Sequence, residues 1–256
     1  MPQRYPRNTV RVLSFIILAL ACFLPYWNSL GNDFVYDDHY VVESNAVVRS
    51  LSVVDIFTSP FWQGFASETG GTYYRPLTVL TYALDYAVSG ATARQFHKTN
   101  LLLHTLSTLL VFLLTGRLIR SNRAALLAAV LFAVHPVHTE AVSNVAGRSD
   151  ILVGLFFVLT LLVFLSRNHS LRPLYGIPLM LAICSKEIGV AIPAILIACD
   201  VVWPRSHRQT PAGKRWGARV AEHAPSLVVV ISFMLLRWNA IGSLATVVPS
   251  PLDNPL

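Results

Sequence analysis

Residues 101–140 read LLLHTLSTLLVFLLTGRLIRSNRAALLAAVLFAVHPVHTE, and this stretch decides the fold. Two apolar blocks flank a short segment that contains Arg117, Arg120 and Arg123, and the first acidic residue of the stretch is Glu140. A helix that crosses a bilayer needs about 20 consecutive, mostly apolar residues. The stretch therefore predicts two membrane-spanning helices joined by a basic turn.

The same alternation continues in both directions along the chain. Apolar residues make up 54% of its 256 positions and charged residues 13%, whereas soluble domains carry about a quarter charged residues. We predict about seven spans, at residues 12–30, 98–116, 124–142, 149–166, 173–184, 188–203 and 221–238. The predicted fold is an all-α polytopic membrane protein, with one membrane domain over residues 1–256 and no repeat domain.

The basic residues predict which side of the membrane each connecting segment faces. Thirteen of the 20 lysines and arginines fall in segments 1–11, 117–123, 167–172 and 204–219, and these segments contain no acidic residue. Cytoplasmic segments are enriched in lysine and arginine, so these four segments and the N-terminus are predicted to be cytoplasmic. The net charge of +7 is then a signal of topology, and no nucleic-acid partner is expected.

The first apolar block has a second interpretation, because Arg4, Arg7 and Arg11 precede it as they would in a signal peptide. Apolar and aromatic residues continue through Trp27, which favours an uncleaved anchor. The long stretch 31–97 follows and is predicted to be an exoplasmic loop. Within it, residues 51–65 and 76–88 mix apolar, aromatic and polar side chains, which is typical of helices that lie along a membrane interface.

The exoplasmic loop carries an acidic pair, Asp37 and Asp38. Adjacent carboxylates repel each other, so one of them can hold a raised pKa and accept a proton. The pair could also bind a divalent cation, or it could be an ordinary solvated loop. Further on, Arg75 precedes Pro76, a residue suited to the first turn of a helix. A phosphate could meet the guanidinium there, although an arginine that reaches towards lipid headgroups is an equal alternative.

Two further polar groups lie at predicted exoplasmic turns. His135, His138 and Glu140 are followed closely by Arg148, without a third ligand at a recognisable zinc spacing. The pair Lys186 and Glu187 lies between two short predicted spans, where ionisable residues are costly and a functional role is the first hypothesis. The pair could also be a simple neutralised ion pair. By contrast, His97, Asn100 and His104 share one helix face, and interhelical hydrogen bonding is the favoured interpretation.

Several strings resemble, in family order, the transmembrane and tetratricopeptide-repeat-containing family of O-mannosyltransferases. They are Phe34–Asp38, Tyr74–Thr81, His97–Asn100 with His104, Phe132–Val142, Gly147–Asp150, Cys184–Glu187 and Asp253–Pro255. The resemblance implies a class C glycosyltransferase-like helical bundle with its site on the lumenal or periplasmic side. It also implies a dolichyl- or polyprenyl-phosphate-linked mannose donor, an acceptor protein with Ser or Thr hydroxyls, and contact with membrane lipid.

Roles follow from the resemblance together with charge. Asp37 or Asp38 would be the general base. Candidates for binding the donor phosphate and sugar are Arg75, His135, His138, Glu140, Arg148, Lys186 and Glu187. No cofactor is expected to be required, and a divalent cation on the acidic pair stays open.

Members of that family continue into further membrane helices and tetratricopeptide repeats, so the chain is expected to correspond to the N-terminal part of such a protein. The alternatives are an inactive fragment, a structural membrane subunit or a transporter. A transporter is disfavoured because the polar groups gather on one side without paired helical halves. The expected location is the endoplasmic reticulum membrane in a eukaryote and the inner membrane in a bacterium.

Overall fold

The computed structural model describes residues 7–62, 73–166, 168–202 and 212–244, and these residues form helices and turns without any β-strand. The helices are α1 (Arg7–Tyr26), α2 (Ala46–Ser50), α3 (Val53–Thr58), α4 (Pro76–Ser89), α5 (Ala93–Ile119), α6 (Asn122–Val134), α7 (His138–Ser143), α8 (Arg148–Phe164), α9 (Gly176–Ser185), α10 (Ile192–Val202) and α11 (Ala212–Ile241). Tighter or wider helical turns occupy Trp27–Gly31, His39–Glu43, His169–Tyr175 and Glu187–Ala191.

Three helical segments among the described residues are long and apolar enough to cross a membrane: Val12–Gly31, Ala93–Ile119 and Val220–Ile241. Asn122–Val134 and Ser170–Ser185 are apolar but shorter. The prediction of an all-α membrane protein is confirmed. The string at Asp253–Pro255 lies outside the described residues.

The predicted span 124–142 differs most clearly from the structure. Helix α6 ends at Val134, and His135 adopts an extended conformation with φ −66° and ψ 127°. The residue before a proline is driven out of the helical region by the proline ring, and Pro136 follows here. The chain turns and resumes as α7 at His138, so the histidine–glutamate string lies on a short separate helix.

The predicted spans 173–184 and 188–203 are separate elements joined at Lys186. Lys186 is extended, with φ −156° and ψ 140°, between the end of α9 and the turn Glu187–Ala191. Gly189 makes this reversal possible, since a Cβ there would lie 2.9 Å from the backbone of Ala182 and Ile183. The turn therefore returns the chain tightly against α9 and leaves Lys186 at its tip.

Helix α5 occupies the centre of the bundle and packs against α1, α6 and α8. Ala125, Ala129 and Ala133 are fully buried along α6. They recur every four residues, and small side chains at this spacing let two membrane helices approach closely. Helix α8 then packs against α9, and α9 packs against α11. This arrangement brings the N-terminal ends of α4 and α8 close to the turn at Lys186.

The loop between the first two long helices packs on that end of the bundle. Its apolar core includes Phe34, Val42, Ile56 and Tyr82. Helix α4 coincides with the predicted segment 76–88. The predicted segment 51–65 is shorter in the structure, because Leu51 is left-handed (φ 51°) and Ser52 caps α3, which ends at Thr58. Residues 63–65 of that segment lie outside the described residues.

Candidate functional site

A cavity of about 550 Å³ opens where five segments meet. The segments are the loop after α1, the start of α4, the stretch around α7, the start of α8 and the turn after α9. The polar residues that line it are Asp37, Arg75, His138, Glu140, Asn144, Ser149, Asp150 and Lys186. Five of the nine residues predicted for the site therefore line one cavity, although they are up to 149 positions apart in the chain (186 − 37).

The acidic pair is split between two environments. Tyr36 has a positive φ of 47°, a conformation that is uncommon for a residue other than glycine. Asp37 is exposed and lines the cavity. Asp38 is completely buried; its Oδ1 accepts a hydrogen bond from the backbone N–H of Ala146 at 2.8 Å, and its Oδ2 accepts one from Val35 at 3.2 Å. Asp38 thus fastens the loop after α1 to the turn before α8.

Burial raises the pKa of the Asp38 carboxyl above its ordinary value, because the charged form loses its hydration. The two backbone N–H groups act in the opposite direction and reduce that effect. Since both oxygens already accept backbone hydrogen bonds, Asp37 and Asp38 do not present a shared pair of carboxylates to a divalent cation. The described residues contain no group of three or more His, Cys, Asp or Glu side chains that could hold a metal ion.

Glu187 holds Arg75 in place. Its Oε2 accepts from Nε of Arg75 and its Oε1 from the backbone N–H of Tyr74, each at 2.9 Å. The guanidinium of Arg75 also lies 4.8 Å from the centre of the Tyr73 ring, within the range of a cation–π contact. Glu187 uses both oxygens in this clamp and does not line the cavity. It fixes the direction of Arg75, which does.

The Tyr74 side chain anchors the same dipeptide to the bundle. Its hydroxyl donates to the carbonyl of Phe57 at 2.8 Å, and its ring packs against Phe233 of α11. Burial raises the pKa of Tyr74 to about 12, so the hydroxyl stays protonated and remains a donor at neutral pH. The position of Arg75 therefore depends on the two preceding tyrosines, Tyr73 and Tyr74, and on Glu187.

Lys186 and Asp150 form an ion pair across the cavity wall. Nζ of Lys186 lies 2.5 Å from Oδ1 of Asp150, and the two side chains are 27% and 50% exposed. A largely exposed pair of this kind is weak, so exchanging it for a bound anion costs little free energy. Asp150 lies in the first turn of α8, where a negative charge is favoured by the helix dipole.

Arg148 does not line the cavity, contrary to the sequence prediction. Its side chain is completely buried, and Nη2 lies 2.6 Å from Oδ2 of Asp85. Its Nε donates to Oδ1 of Asn100 at 2.7 Å, and Nη2 donates to the carbonyl of Phe96 at 2.9 Å. The guanidinium also lies 4.7 Å from the centre of the Tyr82 ring. Arg148 therefore joins α4, α5 and α8 beneath the cavity and is not available to a phosphate in this arrangement.

The histidine–glutamate string is only partly at the cavity. His138 and Glu140 line it, whereas His135 points elsewhere and accepts the backbone N–H of Val137 on its own Nδ1. Gly147 allows the close return from α7 to α8, since a Cβ there would lie 2.8 Å from the backbone of Glu140 and Ala141. This contact is what brings Glu140 next to the first turn of α8.

The polar stripe on α5 has the interhelical role predicted for it at two of its three positions. Besides Arg148, Asn100 contacts the turn after α7, donating to the carbonyl of Asn144 at 2.9 Å. His104 Nε2 lies 3.1 Å from the carbonyl of Ala133. His97 is also buried, next to the backbone of Asn32 and Asp33, and neither of its ring nitrogens makes a hydrogen bond of ordinary geometry. The sequence analysis did not identify Asp85 as the partner of Arg148. The available signal was that Asp85 is the one acidic residue in the mostly apolar segment Pro76–Ser89.

Comparison with known proteins found curated relatives that share most of this chain. Protein O-mannosyl-transferase TMTC1 of Mus musculus is 36% identical over 81% of this chain and 24% of its own length. Protein O-mannosyl-transferase F38B6.6 of Caenorhabditis elegans is 32% identical over 99% of this chain and 36% of its own length. Protein O-mannosyl-transferase TMTC1 of Homo sapiens is 43% identical over 60% of this chain and 18% of its own length. The chain thus spans between 18% and 36% of the length of these relatives. Neither a family model nor a solved structure matches it.

Proposed function

Since the chain belongs to the transmembrane and tetratricopeptide-repeat-containing family of protein O-mannosyl-transferases, we propose that its cavity transfers mannose to protein. The donor would be a dolichyl- or polyprenyl-phosphate-linked mannose, and the acceptor a Ser or Thr hydroxyl on the exoplasmic side. One observation carries the proposal: Asp37, Arg75, His138, Glu140 and Lys186 line a single cavity.

Asp37 is the proposed general base. During transfer, the acceptor oxygen forms a bond to the anomeric carbon of mannose while the bond from that carbon to the phosphate oxygen breaks. The hydroxyl proton has to leave as the new bond forms, and a carboxylate within hydrogen-bond reach can accept it. Asp37 is the member of the acidic pair that lines the cavity, and Asp38 is already committed to two backbone N–H groups.

Lys186 and Arg75 are proposed to stabilise the departing lipid phosphate. Negative charge builds up on the phosphate as it leaves, and fixed cations in a restricted site stabilise that charge. Glu187 occupies the Nε side of the Arg75 guanidinium, and Nη1 is 3.4 Å from Oγ of Ser149 at the cavity wall. Lys186 would exchange its exposed contact with Asp150 for the phosphate. His138 and Glu140 are then left to bind sugar hydroxyls.

The test separates the two aspartates. The chain is reconstituted in lipid vesicles with a polyprenyl-phosphate mannose and an acceptor peptide, and transfer is measured for the native chain, Asp37→Asn and Asp38→Asn. A missing general base lowers rates by roughly 100- to 10,000-fold, so we expect Asp37→Asn to lose turnover by that factor while donor binding is retained. Asp38→Asn should instead lower the fraction of folded chain, and activity per folded molecule should fall much less.

Two results would count against the proposal. Transfer by Asp37→Asn at the native rate would remove Asp37 from the role of base. Donor binding that survives the double replacement Arg75→Gln and Lys186→Gln without loss would remove the phosphate site. Donor binding is measured directly, by photocrosslinking of a labelled donor, so that this second test does not depend on turnover by the chain alone.

A further inference from the structure

A second polar cavity, of about 610 Å³, lies at the other end of α5. It is lined by Gly116, Arg117, Arg120, Asn122, Ser166 and Asn168. About 20 residues of α5 separate Asn100, beneath the candidate site, from Arg120, and this corresponds to about 30 Å at 1.5 Å per residue. That distance is close to the thickness of the hydrocarbon core, so the two cavities lie at opposite membrane boundaries.

The lining of this cavity has the chemistry of an anion site. It contains two guanidinium groups, two side-chain amides and one hydroxyl, and no carboxylate. Arg117 donates to the carbonyl of Leu165, which holds its guanidinium between the ends of α5 and α8. Arg120 is left-handed, with φ 58°, and reverses the chain from α5 into α6. Both arginines are exposed, and a pair of guanidinium groups binds phosphate oxygens strongly.

The start of α6 adds a second contribution. Ser121 caps this 13-residue helix by accepting the backbone N–H of Ala124, and Asn122 is both its first residue and part of the cavity lining. The first N–H groups of a helix have no partner within the helix, and its N-terminus favours negative charge. The helix end and the two arginines therefore act in the same direction at the same cavity.

Apolar surface beside the cavity indicates which anion fits. Leu118 and Ile119, between the two arginines in sequence, are 47% and 59% exposed at the end of a helix long enough to span a membrane. A free phosphate has no apolar part that could contact this surface, whereas a phospholipid would place its acyl chains against it. We propose that this cavity binds the phosphodiester headgroup of an anionic phospholipid in the leaflet opposite the candidate site.

This site is independent of mannose transfer. The lipid would hold the α5–α6 turn against the end of α8. These two segments are already joined by the hydrogen bond from Arg117 to the carbonyl of Leu165. Each direct hydrogen-bonded contact from an arginine to the lipid phosphate contributes roughly 1 kcal/mol, and this corresponds to about a fivefold change in affinity.

The experiment titrates phosphatidylglycerol into the full chain in mild detergent micelles and counts bound lipid by native mass spectrometry. Phosphatidylcholine is titrated in parallel. We expect phosphatidylglycerol to bind preferentially, and we expect Arg117→Gln and Arg120→Gln each to weaken its binding about fivefold, because each variant loses one direct contact to the phosphate. Arg123→Gln is the matched control, because Arg123 is exposed one turn away and does not line the cavity. It should change the affinity by less than about twofold.

The arginine variants, together with a competition by inorganic phosphate, distinguish a lipid site from its alternatives. Arg120→Gln is the principal variant, since Arg117 also contacts Leu165 and its replacement could disturb folding, which is checked by helicity and thermal unfolding. Equal weakening by Arg123→Gln, or equal binding of phosphatidylcholine, would overturn the proposal in favour of diffuse surface charge. Displacement of the lipid by an equal concentration of inorganic phosphate would overturn it in favour of a free-anion site.

Discussion

Replacement of Arg148, the buried arginine at the start of α8, distinguishes most clearly between a structural role and a ligand-binding role for a predicted site residue. In Arg148→Gln, Asp85 keeps its hydrogen bonds from Oγ1 of Thr99 at 2.6 Å and Nε2 of Gln95 at 3.2 Å. It loses its counter-ion 2.6 Å away, at a site where the two side chains are 0% and 8% exposed.

Removal of one partner from a buried ion pair typically costs about 3–5 kcal/mol, because the other charge stays buried without compensation. The two remaining hydrogen bonds to Asp85 place the expected loss near the lower end, at about 3 kcal/mol. Arg148→Lys restores the charge but not the planar fork that reaches Asn100 and Phe96. It should recover only part of the loss.

The assay is the free energy of unfolding, measured by titration of a denaturing detergent into the chain in mild micelles. A double-mutant cycle with Asp85→Asn completes it. The double variant should be less destabilised than the sum of the two single variants, by about 1–3 kcal/mol. The reasoning would be refuted if Arg148→Gln had the same free energy of unfolding as the native chain and only raised the donor concentration needed for transfer. Arg148 would then be a phosphate ligand.

The other predictions concern Asp38, which joins the loop after α1 to the turn before α8, and the glycine in that turn. Asp38→Asn leaves one of two backbone N–H groups without an acceptor and should destabilise the fold by about 1–3 kcal/mol, whereas the exposed Asp37→Asn should not change the unfolding free energy measurably. Because burial raises the pKa of Asp38, the folded chain binds more protons than the unfolded chain between the ordinary value of 3.8 and the raised value. The free energy of unfolding should therefore fall as the pH rises through that window, and a pH series on Asp38→Asn should lack this component; an unchanged pH profile would contradict it. Gly147→Ala places a Cβ 2.8 Å from the backbone of Ala141 and should cost about 1–3 kcal/mol and reduce transfer. Gly154→Ala, with open space around its added methyl group, should be neutral or slightly stabilising in the same unfolding and transfer assays.

The helical membrane fold could be predicted because hydropathy acts locally. An apolar block of about 20 residues is compatible with lipid only as a helix whose backbone groups are paired within it. The end of α6 at Val134 was less apparent, although Pro136 carried the signal. The predicted span 124–142 does not take into account that Pro136 excludes His135 from the helical region.

The candidate site could be predicted as a set of residues but not as a set of roles. Whether Asp37 or Asp38 faces the cavity depends on the backbone at Tyr36 and on an N–H group from Ala146, 108 positions away. The partner of Arg148 is Asp85, which is 63 positions away (148 − 85). It lies in a helix that the sequence alone assigns to the membrane interface. Such distant contacts decide which charge is buried, and no local pattern encodes them.

The most direct test of the central claim is a comparison of cysteine accessibility around the proposed cavity. Asp37→Cys, Glu140→Cys and Lys186→Cys are introduced singly into a chain whose three native cysteines have been replaced, and sealed vesicles are treated with a membrane-impermeant maleimide. We predict that all three are labelled from the same side, while a cysteine at Arg123 is labelled only from the opposite side. Labelling of the three positions from different sides would contradict a single cavity for transfer.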